Sequence, residues 1–216
     1  MLSKLFVARV ALAAVSCAAA TVAVGVGPAQ AAAGSTTVSP AGASVSGTNQ
    51  GPIVFTAGPV TVTCNTVTTS GSVPAAPNNQ NPSGSVSVQI AAPTISDCST
   101  NLPGALSATV TTSGTWGVSV QNGSPIVGNL LAPAGGVTLQ TSGALSCTAV
   151  LSPDSPATVA GTFTNGNPST VTATDVTVPV KITGDAACPS PATATTSATF
   201  ALNNTTDPST PITVSS

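Results

Sequence analysis

Hydrophobic and polar residues alternate along most of the chain. Val60, Val62 and Cys64 are separated by Thr61 and Thr63, for example. A period of two places successive side chains on opposite faces of a strand, so each such segment predicts a β-strand with one buried and one solvated face. Ten segments have this pattern: residues 60–64, 86–90, 106–110, 116–120, 137–140, 145–151, 159–163, 176–182, 194–202 and 212–214.

Turn-forming residues separate these segments, as in Asn122-Gly123 and Asp207-Pro208. Among the good helix formers, Glu is absent and a single Lys follows the leader, whereas Ser, Thr and Val are abundant and favour strands. Together these features predict an all-β fold, an antiparallel β-sandwich of the Ig-like or Greek-key type with about ten strands. We expect one domain over residues 32–216, because a chain of that size buries enough surface for a core.

Residues 1–31 are typical of a cleaved secretory signal peptide. Lys4 and Arg9 precede an apolar stretch, and Ala29 and Ala31 supply the small residues of a cleavage site after Ala31. We therefore predict a secreted, extracellular or cell-surface protein with no transmembrane segment after cleavage.

Two other interpretations of the leader have less support. A retained membrane anchor is disfavoured by its weakly hydrophobic Ala and Gly content and by the lack of a following cationic stop. A lipid-modified Cys17 would normally have a bulky aliphatic residue where Ala14 stands.

Four cysteines remain after the leader: Cys64, Cys98, Cys147 and Cys188. An even number in an exported protein predicts two disulfides, for which three pairings are possible. We favour Cys64 with Cys98 and Cys147 with Cys188, since each bridge then closes a loop worth roughly 4 kcal/mol of unfolded-state entropy. A zinc site is the rival interpretation, but the chain has no C-x-x-C pair and no histidine.

Charge is scarce, with 3 Lys+Arg and 5 Asp+Glu in 216 residues. Lys181 is the one cation after the leader, so no basic patch for nucleic acid can form. The absence of His, Tyr and Glu from the predicted mature chain excludes the usual catalytic triads and Glu-based sites. The dispersed aspartates are expected to serve turns or caps, and Lys181 a solvated strand face. We predict no enzyme activity, no catalytic residues, no cofactor and no metal.

Two features have a structural and a functional interpretation. Trp116 is the single tryptophan, and core packing is the first expectation, with ligand stacking as the alternative. Residues 129–136, which include Leu130 and Leu131, form either an exposed apolar loop that touches a partner or a buried crossover between sheets.

Several short motifs follow one another in a fixed layout: Val38-Ser39-Pro40, Thr61-Val62-Thr63-Cys64, Ile95-Ser96-Asp97-Cys98, Gly114-Thr115-Trp116, Leu145-Ser146-Cys147, Gly161-Thr162-Phe163, Cys188 and Pro211-Ile212-Thr213-Val214. This layout resembles the secreted PraB-like family, named for an activator of alkane oxidation, and similar exported proteins of actinobacteria. The resemblance implies an exported bacterial β-sandwich at the cell surface or in extracellular fibres, without catalytic residues.

Three functional hypotheses follow. The first is an exported, non-enzymatic structural protein of the cell surface or extracellular matrix, which contacts the cell envelope or self-associates through its uncharged strands. The alternative is a secreted carrier that holds a small apolar ligand between its sheets. The third is an inhibitor or toxin-like module that inserts residues 129–136 into another secreted protein.

Overall fold

The computed structural model describes residues 34–216, and every helix or strand among them is a β-strand. All the strand pairings are antiparallel. The predicted all-β antiparallel sandwich is therefore confirmed. The predicted leader, residues 1–31, lies outside the described residues. Over the described range, the chain has no helix long and apolar enough to cross a membrane.

The strands are β1 (Thr36–Ser39), β2 (Ser44–Asn49), β3 (Ile53–Ala57), β4 (Val60–Ser72), β5 (Gln80–Asn81), β6 (Val86–Ile90), β7 (Thr94–Thr100), β8 (Ala105–Thr112), β9 (Trp116–Gln121), β10 (Ile126–Ala132), β11 (Val137–Gly143), β12 (Cys147–Leu151), β13 (Ala157–Val159), β14 (Thr162–Thr164), β15 (Ser169–Gly184), β16 (Thr193–Asn204) and β17 (Thr213–Ser215).

The structure has more strands than the alternation predicted, because short and irregular strands were missed and one segment is divided. Residues 159–163 were expected to form one strand, but Gly161 separates β13 from β14. A Cβ at Gly161 would lie 2.7 Å from the Thr172 carbonyl oxygen and 2.9 Å from that of Gly128. The backbone packs too closely here for any side chain at Gly161.

Strand pairing closes one half of the sandwich into a ring. The path runs through β2, β4, β6, β9, β10, β14, β15 and β16, and β16 pairs again with β2. We call these eight strands the closed half. Closure gives each of these strands a ladder partner on both sides, although β6 meets β4 at the single pair Gly71↔Ile90.

The other half follows the path β7, β4, β3, β16, β15, β12, β11 and β8. We call it the open half, because its ends, β7 and β8, are not joined by a ladder. β4, β15 and β16 run through both halves. Each of these long strands pairs with different strands along its two halves. β4 and β16 each pair with β3 along one half and with β2 along the other, and β15 pairs with β12 and with β14 in the same way.

Side chains complete the hydrogen bonding where the partners change. On β4, the Val67 amide donates to Asn49 Oδ1 at 2.8 Å, and Asn49 Nδ2 donates to the Asn65 carbonyl at 2.8 Å. On β15, the register shifts between Ala173 and Val176, and the Asp175 amide donates to Ser197 Oγ at 2.8 Å. These bonds satisfy backbone groups that the interrupted ladders leave unpaired.

Each half has its own apolar core. In the closed half, Val86, Val120 and Phe163 pack with Val38 and Val214 of a small sheet ordered β17, β1, β5. In the open half, buried side chains of β4, β8 and β11 form a second cluster that contains Cys64, and Trp116 joins it from the start of β9, a strand of the closed half. A third, smaller cluster lies between β15 and β16. The region between these cores contains a cavity.

Candidate functional site

A cavity of about 150 Å³ lies inside the sandwich, at the level where the long strands change partners. Val67 of β4, Ala173 and Val178 of β15, and Thr196 and Ala198 of β16 line it. At this level each long strand exchanges one pairing partner for another, and the small side chains of Ala173 and Ala198 line the space. The fold itself therefore creates the cavity.

The wall of the cavity is almost entirely apolar and comes from both layers of the sandwich. Its largest side chains are Phe55, Phe200, Trp116 and several leucines and isoleucines. No charged residue lines it within the described chain. Such a wall suits an uncharged molecule, because a charged one would lose its hydration without gaining a partner.

Four polar residues interrupt the wall: Thr69, Asn129, Ser152 and Thr196. Thr69 Oγ1 is already used, since it donates to the Ala91 carbonyl at 2.8 Å. Ser152 is different. It is 4% exposed, and its Oγ is buried without a hydrogen-bond partner.

Trp116 belongs to both the core and the cavity wall. Its side chain is 3% exposed and packs in the open-half core, and its Nε1 donates to the Ser113 carbonyl at 2.9 Å. The expected core packing is therefore observed, and the ring also lies where a ligand in the cavity would contact it.

A second cavity of about 50 Å³ lies in the open half. Phe55 and Leu151 line both cavities. These two side chains thus form the partition between the larger and the smaller space.

The four cysteines form the two disulfides that the sequence favours, Cys64–Cys98 and Cys147–Cys188. Cys64 and Cys98 lie opposite each other on β4 and β7. Cys147 begins β12, and Cys188 lies in the connection between β15 and β16. Two disulfides indicate an oxidising, extracellular environment.

All five aspartates and Lys181 are exposed. The described residues contain no group of three or more His, Cys, Asp or Glu that could hold a metal. Asp97 and Asp175 correct the expectation of turns or caps: they lie within β7 and β15, at φ values of 55° and 49°. Their carboxylates accept from Asn65 Nδ2 and Ser197 Oγ, respectively, so both stabilise irregular points in strands.

Two other aspartates accept hydrogen bonds from backbone or hydroxyl groups. Asp185 Oδ2 accepts from the Ser146 amide at 2.8 Å. Asp207 accepts from the Ser209 and Thr210 hydroxyls, and these bonds, Ser209 first, lower the pKa of its carboxyl.

Residues 129–136 do not form a single loop. Asn129 to Ala132 belong to β10, and only residues 133–136 make the turn before β11. Leu130 lines the cavity, whereas Leu131 is half-buried beside Gly117 of β9. The interpretation as an exposed apolar loop is wrong for this segment, because backbone pairing with β9 and β13 holds it in the sheet.

Neither the cavity nor Ser152 was predicted from the sequence. The cavity depends on partners far apart in the chain, and Leu151-Ser152-Pro153 has the appearance of an ordinary strand end followed by a turn. The chain matches no family model, and no curated protein and no solved structure is significantly similar to it.

Proposed function

We propose that this protein is an exported carrier that holds a small, uncharged and largely apolar molecule inside its β-sandwich. The apolar cavity of about 150 Å³ carries the proposal. A dry apolar cavity of about this volume accommodates a six-membered hydrocarbon ring.

The energetics favour a filled cavity. An enclosed empty apolar cavity costs about 24 cal/mol per Å³, which sets an upper bound of about 3.6 kcal/mol for this space. Domains of this kind are stable by only about 5–15 kcal/mol. A ligand that restores the missing contacts therefore stabilises the folded protein substantially.

One wall of the cavity is held less firmly than the others. Ala157 and Val159 of β13 line the cavity, and β13 is three residues long and pairs only with β10. Segments with few backbone hydrogen bonds open most readily. We assign ligand entry to an opening of β13.

Export is the second part of the proposal. The leader predicted from the sequence of residues 1–31 and the two disulfides support it. The resemblance to PraB-like exported proteins agrees with a location outside the cell.

The structural-protein hypothesis has less support than the carrier. It needs free strand edges for self-association, but each strand of the closed half has a ladder partner on both sides, with β6 meeting β4 at the single pair Gly71↔Ile90. The longer unpaired edges of the described chain, β7 and β8, belong to the open half and are adjacent along the chain.

The test uses protein purified from culture medium, analysed by native and then denaturing mass spectrometry. We expect a non-covalent adduct that is lost on denaturation. For material obtained empty, addition of cyclohexanone or methylenecyclohexane should shift the indole N–H resonance of Trp116. The absence of both an adduct and a shift would overturn the carrier function.

A matched pair of variants links binding to this cavity. Ala198→Leu adds side-chain volume at the wall, so it should abolish the shift and raise the melting temperature. Ala186→Leu makes the same change at an exposed position between β15 and β16 and should bind like the parent protein.

A further inference from the structure

We infer that Ser152 is the polar anchor of the cavity, and that the ligand class is an apolar molecule with one uncharged oxygen function, such as a ketone or an alcohol. This inference rests on the carrier function proposed above and specifies its ligand.

The first support is the unpaired hydroxyl. Ser152 lines the cavity, and its Oγ is buried without a hydrogen-bond partner. Leaving a buried hydroxyl unpaired costs about 1–3 kcal/mol. A ligand oxygen within reach removes this penalty.

The second support is the way Ser152 is held. Its amide donates to the Pro179 carbonyl at 2.7 Å, and its carbonyl accepts from the Gly135 amide at 2.8 Å. Both backbone groups are thus satisfied, and the residue, which directly follows β12, is held between β15 and the turn that joins β10 to β11. Rotation about Cα–Cβ places the Oγ atom and rotation about Cβ–Oγ directs its proton, so the hydroxyl can turn toward a group in the cavity.

The third support is the backbone conformation. Ser152 has a φ of 47°, a left-handed conformation that glycine and asparagine adopt more readily than serine. A serine here carries a conformational cost that glycine would avoid. A role for the hydroxyl in the cavity explains why this position has serine and not glycine.

The lack of charged residues in the described cavity wall restricts the ligand further. A hydroxyl both donates and accepts, so it can pair with a ketone or with an alcohol. A carboxylate or an ammonium group would find no opposite charge among the lining residues of the described chain. The cavity wall therefore suits a ligand that carries one neutral oxygen atom on an apolar skeleton.

The experiment compares two probes of the same shape. Cyclohexanone and methylenecyclohexane differ by an oxygen in place of a CH₂ group. Dissociation constants for both are measured from the Trp116 indole N–H shift, in the parent protein and in Ser152→Ala. We expect the variant to bind cyclohexanone about tenfold more weakly and methylenecyclohexane unchanged or more tightly.

Two further results separate this inference from the carrier function. If both probes bind and Ser152→Ala weakens neither selectively, the anchor is wrong while the carrier remains. If neither probe nor any co-purified molecule binds, the carrier itself fails. Circular dichroism and the melting temperature of Ser152→Ala establish that it is folded, and Ser152→Gly, which relieves the left-handed backbone, provides a second hydroxyl-free variant should alanine destabilise the fold.

Discussion

Gly71 and Ile90 form the backbone pair that joins β4 to β6 and closes the ring of the closed half. The approach is close: a Cβ at Gly71 would lie 2.9 Å from Ile90 Cγ2 and 3.0 Å from the Gln89 carbonyl oxygen. The Ala91 amide adds one bond to the Ser70 carbonyl at 2.8 Å. Ring closure thus depends on a glycine without a side chain at this contact.

Replacing Gly71 by alanine should lower the free energy of unfolding by about 1–3 kcal/mol, because a backbone oxygen cannot move aside as a flexible side chain can. Urea unfolding followed by Trp116 fluorescence measures the change. Gly34→Ala is the matched control, since a Cβ there meets nothing within 4 Å. Equal unfolding midpoints for the two variants would contradict the role assigned to the Gly71 contact.

The Asn49 side chain should stabilise the fold at the point where β4 changes its pairing partner. Its side chain accepts from the Val67 amide and donates to the Asn65 and Gly51 carbonyls, so Asn49→Ala loses three hydrogen bonds. At about 1 kcal/mol for each bond, the loss is about 2–4 kcal/mol. Urea unfolding measures it against Asn203→Ala, a change at an exposed position of β16. A similar loss of unfolding free energy in both variants would show that the Asn49 hydrogen bonds do not stabilise this point of the fold.

The alternation predicted the regular strands well, because each has one buried and one wet face. In β9, Trp116 and Val120 are buried as expected, and in β11 Val137 and Leu139 are. The pattern failed where the backbone departs from a period of two. Half of β15 was missed because the register shift near Asp175 changes which residues face inward.

The candidate site was harder to predict from the sequence than the strands were. The cavity arises because three long strands change partners at the same level, and these partners are set by contacts between distant segments. Gly128 and Asn129 resemble turn residues, so β10 was missed as well. Its glycine instead allows close packing, since a Cβ at Gly128 would lie 3.2 Å from Phe163 Cβ. Tertiary packing, not local preference, determines these positions.

Removing the Cys64–Cys98 bridge should destabilise the fold more than removing Cys147–Cys188. The bridges span 34 and 41 residues, so the entropic loss is about 4 kcal/mol for each. Cys64 is fully buried in the open-half core and Cys98 packs against it, whereas Cys147 is buried outside the three clusters and Cys188 is half-buried. The first double alanine variant therefore loses more core packing than the second. Urea midpoints of Cys64→Ala/Cys98→Ala and Cys147→Ala/Cys188→Ala give the comparison, and the reverse order would contradict it.

The loop after β16 should make a contribution to stability that depends on pH through Asp207. Ser209 Oγ donates to Asp207 Oδ1 at 2.7 Å, Thr210 Oγ1 donates to Oδ2 at 2.8 Å, and the Ser209 amide donates at 3.1 Å. These bonds, with the Ser209 hydroxyl first, hold the pKa of Asp207 below its ordinary value. The folded state then binds fewer protons than the unfolded state. The stabilisation is complete above the unfolded-state pKa of about 3.9 and is lost as the pH falls through the lower folded-state pKa.

Carboxyl carbon resonances measured as a function of pH test this directly. Ser209→Ala removes the first cause of the shift, so the titration midpoint of Asp207 should move upward, toward the ordinary pKa of an aspartate. Ser190→Ala changes an exposed serine in the connection between β15 and β16 and should leave that midpoint where it is. Because Asp207 is exposed, the effect belongs to this loop and not to the cavity: cyclohexanone binding should be the same in both variants at pH 7. An unchanged midpoint in Ser209→Ala would show that the hydroxyl bond does not hold the carboxylate in its charged form.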